Sequence, residues 1–205
     1  MDLLDAGDVA GLRAHLNQHR NLVREHLVLE GGNYFREPTL LEFVAENPVR
    51  HGTLSANIVD VTRIILEAGP TQSAKKEALM LVSTGSVPRE CRVQLSLINL
   101  LCDCGANPNS AVHAAALHGE LEALNALIGR GARIDLPVAS ALGRLADARR
   151  LLAGASGDDR HLAFTLAADF GHVEIVRLLL DAGEGPNRYR PFPHDAAAPS
   201  CRARP

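Results

Sequence analysis

Residues 166–183 read LAADFGHVEIVRLLLDAG, and the two glycines that bracket the apolar run, Gly171 and Gly183, decide how the stretch folds. Between them Val173, Val176, Leu179 and Leu180 recur at the 3-3-1 spacing of one helical stripe, which Ile175 and Leu178 widen. Such a helix is expected to be sandwiched between apolar neighbours. Upstream, HLAFTLAADF is a second apolar segment, and Gly171 between the two is placed for a left-handed turn that reverses the chain into an antiparallel helix pair. Gly183 ends the second helix in the same way. The stretch holds one histidine, His172, whose role depends on whether this pair stands alone or belongs to a series.

It belongs to a series. SAVHAAALHGELEALNALIGRGA, residues 110–132, lies over LAFTLAADFGHVEIVRLLLDAGE without a gap, with Gly119 on Gly171 and Gly131 on Gly183. Both copies resemble the ankyrin repeat, whose pattern runs Thr-Pro-Leu-His, Ala-Ala, Gly-His and then a Val/Leu-rich second helix closing on Gly-Ala. In one copy the resemblance rests on Ser110, His113, Ala115, Ala116, Gly119 and Gly131; in the other it rests on Ala167, Ala168, Gly171, His172 and Gly183. Weaker copies in the same frame begin at Leu3, at TLLEFVAEN joined to IVDVTRIILEAG, at ALMLVSTG joined to VQLSLINLLCDCGANPN, and at VASALGRLADARRLLAGAS, giving about six units over residues 1–185.

The resemblance implies an all-α fold, a right-handed ankyrin-type solenoid of about six stacked antiparallel helix pairs. It also implies that the chain binds another protein. Residues 1–188 are expected to form the repeat domain and 189–205 a Pro/Arg-containing tail, disordered from about Pro191 or pressed loosely on the last pair. His113 and His172 fall where the ankyrin pattern uses histidine to bond neighbouring backbone and loops, so both are read as structural.

Repeat arrays bind through what differs between copies. HLVLEGGNYFREPT, residues 26–39, reads as one long hairpin-like finger turning at Gly31 and Gly32. Asn33, Tyr34, Phe35 and Arg36 on it are candidate partner-binding residues; the alternative is that the two aromatics fold down over the first helix pair. Asn47–Ala56 and Thr84–Cys91 carry Pro and Gly in the same place of adjacent units and replace the short turn seen at Gly119. Stacking would align them along one edge, where Arg50, His51 and Arg89 are further partner-binding candidates; loop insertions without a role are the other reading.

The repeat pattern stops after DAGEGPNRYRPFP, and HDAAAPSCRARP supplies no further helix-one motif. A shifted reading frame from His194 onward or a natural short tail would each account for the break, and a chain cut from a larger protein whose activity lies elsewhere is the alternative functional reading. An uncovered Leu/Val/Ala face on the last pair would invite self-association.

Composition agrees. The chain is 46% hydrophobic but only 3% aromatic, so its core must be built from Leu, Ala, Val and Ile, which pack closely between helices. A net charge of −3 supplies no broad basic field, so neither nucleic acid nor membrane is expected as a partner. No apolar run approaches the roughly 20 residues of a membrane span, and MDLLDAGDVAGL lacks the basic start of a signal peptide, which points to the cytoplasm. Cys91, Cys102, Cys104 and Cys201 form no disulfide framework and are expected as thiols.

Nothing in the sequence supports catalysis, a cofactor or a metal. His15 and His19 are four apart on a predicted helix, with His26 downstream, but no third ligand is evident and residue 16 is Leu where a zincin has Glu. His113 and His118, five apart, do not share a helical face. The pair Cys102 and Cys104 lacks the two-residue spacing of a zinc knuckle. Nucleophile-elbow, phosphate-loop and dinucleotide-binding glycine patterns are absent.

Overall fold

The computed structural model describes residues 1–27 and 37–187, so Asn33, Tyr34, Phe35 and Arg36 and the expected tail lie outside the described residues. Within them the chain is helical, and its helices follow one another as pairs. Pair one is α1 (Asp2–Asp5) and α2 (Val9–Gln18). Pair two is a 3-10 helix, Leu40–Ala45, with α3 (Ile58–Glu67). Pair three is α4 (Gln72–Thr84) with α6 (Gln94–Asp103), joined through the short α5 (Ser86–Glu90). Pairs four, five and six are α7 (Val112–Leu117) with α8 (Leu121–Gly129), α9 (Leu136–Ala141) with α10 (Leu145–Leu152), and α11 (Gly157–Asp169) with α12 (Val173–Asp181).

Two layers run along the stack. First helices touch first helices, with the 3-10 helix on α4, α4 on α7, α7 on α9 and α9 on α11. Second helices do the same, α2 on α3, α3 on α6, α6 on α8 and α10 on α12. The starts of the first helices are fixed by short polar caps, since the side chains of Thr71, Asp135 and Ser156 accept from the amides of Ala74, Val138 and Asp159 at 3.0–3.2 Å. Glu42 closes the corresponding start at Thr39, accepting from its amide at 2.8 Å.

Gly119 and Gly171 adopt φ of 72° and 70°, the left-handed turn expected between the helices of a pair, and Gly131 and Gly183 adopt 95° and 86° after the second helix. Gly143 occupies the same kind of turn at φ 67°, and a Cβ there would lie 2.7 Å from the His172 ring. That ring belongs to the next pair, and its Nε2–H donates to the Ala141 carbonyl at 3.1 Å. His113 donates likewise to Asp135 of the following pair at 2.8 Å. Both histidines therefore tie neighbouring units, as expected. Asn57 has the role of His172 one pair after α2, its Nδ2 donating to the Gly7 carbonyl at 2.8 Å.

Two expectations change. Thr84–Cys91 is not a loop: Gly85 leaves the helical region at φ −79°, ψ 131°, and the chain re-enters a helix with Pro88 in its first turn, where a missing N–H costs no hydrogen bond. The stripe of α12 is narrower than its spacing suggests. Ile175 and Leu179, one turn apart, are the residues buried against pair five, whereas Val173 is 55% and Leu180 44% exposed. Periodicity marks the apolar residues of a helix but not which of them the preceding unit reaches.

Leu4, Phe43, Ile65, Leu101 and Leu127 belong to one apolar core that runs from pair one as far as Leu166 of pair six, and a second, smaller core lies around Ala148, Ala163, Ala167, Ile175 and Leu179. The division falls at α10, whose single buried residue is Ala148. Gly143→Ala should lower unfolding free energy by about 1–2 kcal/mol for the left-handed backbone and further for the displaced His172 ring. Gly131→Ala, with open space around its Cβ, should cost only the backbone part, and urea denaturation of the two variants measures the difference.

Candidate functional site

The edge where first helices turn into second helices carries most of the unusual surface. One part of it is the insertion 47–56, which follows Glu46, a residue in the left-handed region at φ 53° with a fully buried side chain. The Glu46 carboxylate accepts from the backbone amides of Arg50 at 2.8 Å, His51, and Gly52 at 3.3 Å, so one side chain winds the loop around itself. Arg50 then crosses to pair one, where its guanidinium donates twice to Asp5, at 2.9 and 2.7 Å, and also to Glu46 at 3.2 Å. The same guanidinium lies 5.0 Å from the centre of the Phe43 ring.

Burial alone would push the Glu46 carboxyl up. The amides of His51 and Arg50 and the Arg50 charge outweigh it and hold the group below the ordinary carboxylate range. Asp5 is lowered in the same way, with the Arg50 bonds and charge overcoming its burial. A lowered folded-state value means that both groups stabilise the fold above the ordinary carboxylate range and lose that contribution as pH falls through it.

The sequence-derived candidates separate. Arg50 and His51 meet at Asp5, which the His51 ring approaches to 3.4 Å. Arg50 is only 20% exposed in its side chain and orders the loop, whereas His51 is half exposed and faces an open cleft of about 300 Å³ with Thr53 and Ser55 on its wall. Arg89 stands further along the stack, bonded to the buried Glu120 at the start of α8 and half exposed. Gln94 shares that carboxylate at 3.5 Å. Of the finger, the described ends form an antiparallel bridge between His26 and Thr39, and the Leu27 amide donates to Pro38 at 2.9 Å.

What the sequence reading missed is apolar. Seven large hydrophobic side chains are exposed among the described residues, and five of them, Val49, Leu95, Leu117, Leu121 and Val173, flank a turn between first and second helices. Leu95, Leu121 and Val173 hold one register, each about ten residues before the glycine that follows its helix (Gly105, Gly131 or Gly183). Their signal was an apolar residue in the first turn of a helix whose buried stripe starts later. Asp5 and Glu120 were missed because their partners are 45 and 31 residues away.

A second surface appears when pair six is laid over pair four. Val112, Ala116 and Leu124 are at most 3% exposed in pair four, but the matching Phe164 and Val176 are half-buried and Ala168 is exposed. Those positions, with Leu180, mark the side of pair six that faces away from pair five.

No group of three or more His, Cys, Asp or Glu side chains is placed to hold a metal ion among the described residues. Cys91, Cys102 and Cys104 are free thiols, and burial raises that of Cys102. None of the described helices is long and apolar enough to cross a membrane.

A stack of helix pairs with left-handed turn glycines, cross-bonding histidines and unequal loops defines a repeat scaffold of the kind that mediates binding between proteins. Residues 91–190 match the family model for ankyrin repeats in three copies, so this part of the chain is an ankyrin-repeat array. No curated protein and no solved structure matches it.

Replacing Glu46 by Gln should remove about 2 kcal/mol of stability at neutral pH, because the loop amides and Arg50 lose an ionised acceptor. The difference from the parent chain should shrink as pH is lowered through the carboxylate range, where Glu46 itself becomes protonated; urea melts across that range measure it.

Proposed function

We propose that this chain is a non-catalytic recognition scaffold that binds another protein along its turn-side edge, with the finger residues Asn33, Tyr34, Phe35 and Arg36 as a second contact. The observation that carries this reading is the concentration of exposed apolar side chains on that edge, beside an insertion held rigid by Asp5, Arg50 and Glu46. A loop insertion without a role has no need of a buried carboxylate to order it. Apolar side chains presented on a fixed frame bind without the entropy cost of ordering a flexible loop. His51 and Arg89 supply the polar part of the contact. The free thiols and the family's usual work fit a cytoplasmic setting.

The double substitution Leu117→Asp and Leu121→Asp tests it. Affinity capture with the full chain should recover a partner that the variant recovers about tenfold less well, with circular dichroism and melting unchanged. Equal recovery by both proteins would remove the edge from this reading.

The open side of pair six favours a second contact, between two copies of the chain. It combines Phe164 and Val176, whose counterparts Val112 and Leu124 in pair four are buried, with the exposed Leu180. Light scattering coupled to size exclusion should then show a concentration-dependent dimer that Leu180→Glu returns to monomer. A monomer at all concentrations would overturn self-association and leave the edge unaffected.

A further inference from the structure

The last turn of α2 brings two imidazoles together. His15 and His19 are four residues apart, and the His19 amide donates to the His15 carbonyl at 2.9 Å, so the final helical hydrogen bond stacks one side chain a single turn above the other. Their ring centres are 4.6 Å apart and the planes are tilted by 46°. Both residues are exposed. They form one wall of an open groove of about 690 Å³ that also contains Gln18, Arg20, Asn21 and Glu25.

That separation suits a shared metal ion. With a metal–nitrogen bond of about 2.1 Å, each ring centre sits about 3.2 Å from the ion, and a ligand angle of about 90–110° puts the two centres about 4.5–5.2 Å apart. The observed 4.6 Å falls inside this window without any change of backbone. The local field is favourable as well, because α2 ends here and its last carbonyls form the negative pole of the helix. Glu25 adds a negative charge to the groove. Arg20 is the opposing charge, and it is exposed at the end of a long side chain.

The geometry points to a two-imidazole chelate at His15 and His19 for a borderline divalent cation of the Zn²⁺, Ni²⁺ and Cu²⁺ class. Imidazole is the ligand this class prefers over Mg²⁺ or Ca²⁺. Among the described residues no third His, Cys, Asp or Glu side chain completes the site. The ion therefore keeps positions open to water and exchanges readily, unlike a structural zinc. Such a site differs from the partner edge in residues and chemistry, so it stands or falls separately.

Zn²⁺ titrated calorimetrically into the full chain at about pH 7.5 should show one saturable site, weakened about tenfold or more by either His15→Gln or His19→Gln. His118→Gln, at an exposed histidine on the turn edge, should bind as the parent does. Cu²⁺ should bind more tightly than either Zn²⁺ or Ni²⁺. Acidification should release the ion, since a protonated imidazole has no lone pair to offer. Both positions are exposed, and unchanged circular dichroism confirms that each variant is folded. Absence of saturable binding, or equal binding by the His15→Gln, His19→Gln double variant, overturns the proposal.

Discussion

No helix pair in this chain can bury its apolar face alone, and that single constraint governs everything else. Several first helices are short, α7 and α9 having six residues each, so their stability comes from the neighbours on either side. Small residues make the close approach possible: Ala139, Ser140 and Ala141 of α9 are all buried, and the long α11 packs over them. Polar bonds then fix the register that apolar contact leaves free. Asn57, His113 and His172 each reach from one unit to the next, and each binds a carbonyl or carboxylate at a turn or helix start.

The same constraint makes the stack uneven. At α10 the buried surface contracts to Ala148, and the core divides into a long N-terminal body and a small cluster around pairs five and six. His172 crosses close to this narrow place, with its ring against Gly143. The bond between His172 and Ala141 adds a polar tie between pairs five and six beside the packed α9 and α11.

Much of this was legible in the sequence, because periodicity and glycine placement are local properties. Gly119 and Gly171 announced their turns, and His113 and His172 their bonds between units. Side-chain partners far along the chain were not legible. Arg50 reads as a loop charge offered to a partner until Asp5, 45 residues earlier, is brought beneath it by stacking. Val173 reads as core until the third dimension shows that Ile175 and Leu179 are what pair five meets. α5 was hidden by the habit of reading Pro and Gly as loop, although a proline in a first turn is compatible with a helix.

The knot formed by Asp5, Glu46 and Arg50 has one more consequence. Its two carboxylates, from α1 and from the end of the 3-10 helix, share the single guanidinium of Arg50 in the insertion. Loss of either carboxylate still leaves Arg50 one partner, whereas loss of Arg50 leaves two partly buried carboxylates without the cation they share. Arg50 is therefore the residue the 47–56 insertion can least exchange, because both carboxylates lean on its one charge.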